Sequence, residues 1–340
     1  MILKFKENRV NRAYTGGKNI DRFVGKETCE DGRKPEEWIA SVVTAFNPDN
    51  PIENEGLSVC ENGRFFKDVL AEDYQKHLGI AQDNSVIEEM SILVKLLDSA
   101  ERLVVQCHPT IEFAKKAFNS NFGKTECWYM LDTQDDAYIY LGFKKGITRE
   151  KWIELYNKQD IEGILDSLNR FNVKKGDLWF VDGGVPHAIG SGCFMVELQE
   201  PSDLMVIPER ITPSGRVLDE RKIHGGLGFD KMFDCYEYIG YSQEEVKDKY
   251  YRNVEFKENE LSPIVDKSLT DKFSLYGLNA CGNCNVALNS YSVAVVIDGN
   301  CTISDGEESV DFKKGDKFFL SDESKKISLF GKTKIIFCCA

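Results

Sequence analysis

The chain has 340 residues, 42% hydrophobic and 29% charged, the proportions of an ordinary globular protein with room for two domains and a sizeable core. Its formal net charge of -13 argues against nucleic-acid binding, which needs a basic face, and repels an anionic substrate unless the pocket is locally basic. No apolar run reaches the roughly eighteen residues of a membrane span, and MILKFKENRVNRAY has no apolar signal core, so the expected location is the cytoplasm, with no membrane partner. The 11 cysteines are scattered, as expected of small buried hydrophobes in a reducing compartment. The C-x-x-C pair Cys281-Gly-Asn-Cys284 reads as a turn between strands.

In chain order, residues 1–60 mix short strands and turns, including Arg12-Ala-Tyr-Thr-Gly-Gly17 and Glu37-Trp-Ile-Ala-Ser41. Phe66, Val69, Leu70, Tyr74 and Leu78 fall at helical spacing, which predicts one amphipathic helix over 64–78 with His77 exposed. Residues 91–97 read as a buried strand; Lys95 within it either points into a polar cavity or marks an edge. Residues 103–108 read as a strand that puts Gln106 and His108 on one face and Cys107 on the other. A short helix is expected over 110–118, then a strand over 125–131 carrying Glu126. Lys124 shares the face of Glu126 if that strand begins early. Thr148 and Asp160 are capping residues of two helices within 148–170.

The stretch Gly176-Asp-Leu-Trp-Phe-Val-Asp-Gly-Gly-Val-Pro-His187 combines an apolar strand, a Gly-Gly reversal and a histidine. Residues 193–208 return as a strand in which Glu197 and Gln199 alternate with apolar neighbours; Glu197 faces either the site or solvent. Residues 209–225 read as a loop, 226–237 as containing a short helix, and 238–262 as a charged interdomain connection. Val173-Lys-Lys-Gly-Asp-Leu-Trp-Phe-Val181 is repeated as Phe312-Lys-Lys-Gly-Asp-Lys-Phe-Phe-Leu320, without the histidine turn in the second copy. The repeat predicts two small β-barrels, one with metal ligands and one without. Two imidazoles, a carboxylate and an amide on neighbouring strands predict that Gln106, His108, Glu126 and His187 hold one divalent ion.

GDLWFVDGGVPH fits the second cupin motif, with Asp182 in place of its usual proline. With ILVKLLDS (92–99), QCHP (106–109), GKTECWY (123–129) and VPHAIGSG (185–192), the chain resembles type I mannose-6-phosphate isomerases in their short bacterial form, mainly over residues 90–205. The resemblance implies a mostly β fold of two cupin (jelly-roll) domains with a few packed helices. The metal-bearing domain is expected near 1–240 and a C-terminal domain lacking ligands near 260–340. It also implies Zn2+ as the ion and interconversion of mannose 6-phosphate and fructose 6-phosphate, with a small sugar or sugar phosphate as the partner. The oligomeric state stays open.

Within that reading Glu197 is the candidate general base, and Lys124 the cation that steadies an oxyanion or phosphate. Two positions depart from the family. Val104 stands where those enzymes carry a phosphate-side serine, and Ile207 where they carry an active-site arginine. Arg210, just beyond the strand-breaking Pro208, is the expected substitute if the loop turns back over the barrel mouth. The departures keep two alternatives open: an isomerase or epimerase of another, unphosphorylated sugar, and a sugar-binding cupin that kept its metal and lost turnover.

Overall fold

The computed structural model describes residues 1–79 and 90–340. Strand accounts for 37% of residues and helix for 19%, so the fold is mostly β, as expected. One seven-stranded sheet runs Tyr251–Asn253, Asp177–Val181, Glu126–Thr133, Cys193–Gln199, Leu93–Ser99, Glu36–Ile39 and Arg9–Val10. A smaller sheet of Gly240–Tyr241, Tyr138–Lys144, Leu168–Asn172 and His187–Ile189 closes against it. The second seven-stranded sheet is built from the long strands Ser274–Ala287, Ser292–Ser304 and Lys326–Cys339 with shorter partners. One of its edge strands is Ile2–Lys4, which pairs antiparallel with Lys317–Leu320. One apolar core runs continuously from Ile20, Val94 and Trp128 to Val293, Phe319 and Ile336, tying the two large sheets together.

The sequence repeat is a repeated turn. Asp177 accepts from the Lys174 N–H at 3.0 Å, and Asp316 accepts from the Lys313 N–H at 3.0 Å. Gly176 and Gly315 sit at φ 89° and 90°, which only glycine adopts cheaply. Each turn launches a strand, Asp177–Val181 or Lys317–Leu320. In the second copy Ser321 and a short 3-10 turn, Asp322–Ser324, follow where the first copy continues toward His187.

Several local expectations are revised. The helix foreseen over 64–78 is two short ones, Phe66–Leu70 and Tyr74–Leu78, because Asp73 caps a new start by accepting from Lys76; His77 is buried rather than exposed. The second helix after Thr148 ends at Asp166, and Leu168–Asn172 is a strand of the small sheet. The 238–262 segment holds the helix Gln243–Tyr250, started by a capping box of Ser242 and Glu245, and the strand Tyr251–Asn253. Cys281 to Cys284 lies inside the strand Ser274–Ala287 and not in a turn.

Candidate active site

Residues 103–108 are not a regular strand. The segment runs beside His187–Ile189, where Gln106 and His187 exchange both backbone hydrogen bonds at 2.9 Å, and Cys107 bridges to Val206 on its other side. This pairing brings Gln106, His108 and His187 together. The reversal before His187 needs both glycines. Gly184 has φ 84° and donates to the His108 carbonyl at 2.7 Å, while a Cβ on Gly183 would lie 2.7 Å from the Pro109 carbonyl oxygen. Glu126 opens the strand Glu126–Thr133, between Val181 and Gln199 of its neighbours.

One ligand atom each from His108, Glu126 and His187 lies within 4.8 Å of the other two, and all three residues are buried. The Nδ1 of His108 bonds the Leu204 carbonyl at 2.9 Å and that of His187 bonds the Val185 carbonyl at 2.9 Å. Carbonyls only accept, so both Nδ1 atoms carry the proton and both Nε2 atoms keep a lone pair. Burial pushes His187 down to about 3; burial and Lys124 together lower His108, so both rings are neutral near pH 7. Burial alone would raise Glu126, but Lys124 and His108 outweigh it and hold the carboxyl well below its ordinary value.

The donor set fits a divalent ion. The buried His187 Nε2 has no hydrogen-bond partner among the described residues. Glu126 Oε2 has none of good geometry either, although Lys124 Nζ lies 2.9 Å away as an ion pair. The same Nζ is 2.6 Å from His108 Nε2, so a cation already stands against the convergent donors. Gln106, half-buried, lines the cavity beside them. Two neutral imidazoles, a carboxylate and an amide make a zinc-type set. Cys107 packs away from it, its thiol against the Cys235 carbonyl at 3.6 Å.

A cavity lies beside the donors, joined to them by Lys124 and Gln106, with His108, Glu126 and His187 themselves outside its lining. Lys95 and Glu197 both line it and are both buried, which excludes the edge position for Lys95 and the solvent-facing one for Glu197. Lys95 Nζ donates to Glu197 Oε1 at 2.8 Å. Burial raises the Glu197 carboxyl above its usual range even though Lys95 opposes the shift. Lys124 lines the cavity as well, although the strand begins only at Glu126.

Arg210 does not. It is exposed, its guanidinium stacked 5.0 Å from the Tyr156 ring and its N–H bonded to Gln159. The cause is its neighbour. Glu209 turns fully inward to take Arg102 at 2.7 and 2.8 Å and the Val105 N–H at 2.6 Å, so the next side chain points out. The cavity's guanidinium groups come instead from Arg102, held by Glu209, and from Arg12, paired with Glu36 at 2.9 Å and doubly with Asp203 at 3.1 Å. The Arg12 charge holds Glu36 and Asp203 at about 2 against burial, which alone would raise both. The R-A-Y-T-G-G segment containing Arg12 is visible in the sequence, but nothing local shows that its partner lies 191 residues away. Val104 and Ile207 both line the cavity with apolar side chains.

A mostly β fold of paired sheets with a buried His–Glu–His cluster beside a charged cavity defines a cupin-type protein with a candidate metal centre. Residues 267–340 match the family model described as mannose-6-phosphate isomerase, cupin domain. Mannose-6-phosphate isomerase ManA of Bacillus subtilis is 35% identical over 148 residues, 44% of this chain and 45% of that protein, so the match spans less than half of the relative. The crystal structure of the mannose 6-phosphate isomerase from Bacillus subtilis superposes over 100% of this chain and 99% of its own, with TM-score 0.74 and 21% identity. A mannose 6-phosphate isomerase bound with zinc and yttrium superposes over 99% of both chains, with TM-score 0.69 and 14% identity. The chain thus has the fold of the solved mannose 6-phosphate isomerases and is similar in sequence to relatives of that name over part of its length.

Proposed function

We propose that this protein is a zinc-dependent aldose–ketose isomerase that interconverts mannose 6-phosphate and fructose 6-phosphate. The observation that carries the reading is that Lys124, which lines the cavity holding the Lys95–Glu197 pair, also touches the buried donors, 2.6 Å from His108 Nε2 and 2.9 Å from Glu126 Oε2. Gln106, His108, Glu126 and His187 hold the ion. When bound, it supplies a Lewis acid for the sugar's carbonyl and hydroxyl oxygens.

The chain's own side chains supply the rest. Isomerisation moves a proton between neighbouring sugar carbons, so it needs a group that both takes and returns one. Glu197 is that group: its carboxyl is raised toward neutrality by burial, and Lys95 fixes its orientation at 2.8 Å. Lys124 brings a positive charge to the cavity face of the donors and steadies negative charge on substrate oxygens. The apolar walls, Leu97, Leu103, Val104 and Met205, exclude water from the proton-transfer path. The test is a coupled assay with mannose 6-phosphate and zinc. Turnover lost in Glu197→Gln with zinc content intact supports the reading; full turnover in that variant overturns it.

A second reading, an isomerase or epimerase of another sugar, is favoured by one observation. Val104 and Ile207 line the cavity with hydrocarbon at the positions where the family resemblance implies a serine and an arginine. Free mannose in the same assay separates the two.

A further inference from the structure

Among the described residues, one cation of the cavity has no carboxylate within ion-pair distance. Arg12 has Glu36 and Asp203, Lys95 has Glu197, Arg102 has Glu209, and Lys124 has Glu126, all within ion-pair distance. Lys222 is equally buried and lines the same cavity, yet among the described residues its ammonium has a single neutral partner, Asn47 Oδ1, at 2.9 Å. That partner is held in place. Asn47 Nδ2 donates to the Asn11 carbonyl and to Glu55 Oε2, both at 2.9 Å, which turns its oxygen toward Lys222. Lys222 itself rides on the helix Glu220–His224, whose start is fixed by Asp219. A buried ammonium without a counter-ion is costly, and a chain keeps one where a ligand supplies the missing charge.

The surroundings fit an anion of small size. Thr212 lines the cavity with Lys222 and is buried; its hydroxyl lies 3.1 Å from that of Ser214. A second cleft, open to solvent and lined by Arg33 and Arg216, shares Arg12 and Lys222 with the cavity, so Lys222 stands where the interior meets the outside. At the positions where the family resemblance implies a serine and an arginine, the cavity wall is hydrocarbon, Val104 and Ile207. The charge the ligand needs has another source.

The geometry points to Lys222 as the residue that binds the phosphate of a phosphorylated sugar and makes the cavity selective for it. This rests on the sugar-phosphate reading above and adds the specificity determinant that reading lacks. The groups facing Lys222 are Arg12, Asp203, Asp49 and Glu36, with Arg12 opposing its charge and the carboxylates supporting it. Burial and Arg12 lower the ammonium to about 8, so it is charged at neutral pH and strengthened by a bound dianion.

The experiment uses the zinc-loaded full chain and two variants, Lys222→Met and Lys222→Arg. Equilibrium binding is measured for fructose 6-phosphate, fructose and inorganic phosphate. The wild type should bind fructose 6-phosphate at least about tenfold more tightly than fructose, and inorganic phosphate should compete. Lys222→Met should erase that preference without loss of zinc or of fructose binding, and Lys222→Arg should restore part of it. Where turnover is measurable, Lys222→Met should raise KM for mannose 6-phosphate and leave KM for mannose unchanged. A purely structural lysine predicts a lower melting temperature in Lys222→Met; an ammonium kept for a ligand predicts an equal or higher one. A wild type without preference for the phosphorylated sugar, or a Met variant that keeps it, overturns the assignment. A wild type that binds phosphosugars through Lys222 yet never isomerises them sinks the isomerase reading and leaves this one standing.

Discussion

Lys95 and Glu197 lie directly opposite each other on two central strands, joined at 2.8 Å and both buried. Trp38 and Trp128 flank the pair in the same cross-strand row. Glu197→Gln should lower kcat by about 100- to 10,000-fold, the range for losing a positioned base, with zinc content unchanged. Lys95→Met removes the charge that opposes burial, so the acid limb of kcat/KM should move to higher pH. An unmoved limb would remove Lys95 from the proton-transfer step.

The metal assignment is tested without turnover. His108→Ala and His187→Ala should each lose most of their zinc after gel filtration, while wild type keeps about one equivalent by elemental analysis. Because the ligands sit in the core of the fold, adding zinc should raise the melting temperature of wild type and not of either variant. Equal zinc in all three proteins refutes the site.

Arg12 and Arg210 give opposite expectations. Arg12→Ala leaves Glu36 and Asp203 buried without their main counter-charge, which should cost about 3–5 kcal/mol in urea unfolding. Arg210→Ala removes only an exposed stack on Tyr156 and should change stability by less than about 0.5 kcal/mol, with activity retained.

Lys222 sets a pH signature. Its folded value of about 8 lies below its ordinary 10.5. Between those values the unfolded chain holds a proton that the folded chain has released, so stability rises with pH there. The penalty is full below pH 8 and fades toward 10.5. Lys222→Met should therefore exceed wild type by at most about 3 kcal/mol at pH 7, with the gap closing by pH 10.5. A constant gap across that window contradicts the buried, unpaired charge.

The two copies of the K-K-G-D turn separate strain from contact. Gly176→Ala meets open space and pays only for the left-handed backbone, about 1–2 kcal/mol. Gly315→Ala has the same φ, but its Cβ would also lie 2.6 Å from the Phe23 carbonyl oxygen, so it should cost more. Equal losses would show that the backbone alone sets the cost.

The sequence by itself determined the parts whose causes are local. Thr148 and Asp160 cap their helices because the hydroxyl or carboxylate reaches an N–H three residues on. The K-K-G-D turn repeats because its aspartate and glycine act within four residues. His108, Glu126 and His187 were readable because a ligand cluster needs those residue types on paired strands beside a Gly-Gly reversal. What only the tertiary structure decided is which charges face the cavity. Arg12 enters it from 191 residues before its partner Asp203, and Lys222 reaches it from 175 residues beyond Asn47. Arg210 leaves it because Glu209 is claimed by Arg102, 107 residues earlier. Such pairings are fixed by how distant loops pack over the barrel mouth, and no periodicity or spacing within one segment encodes them.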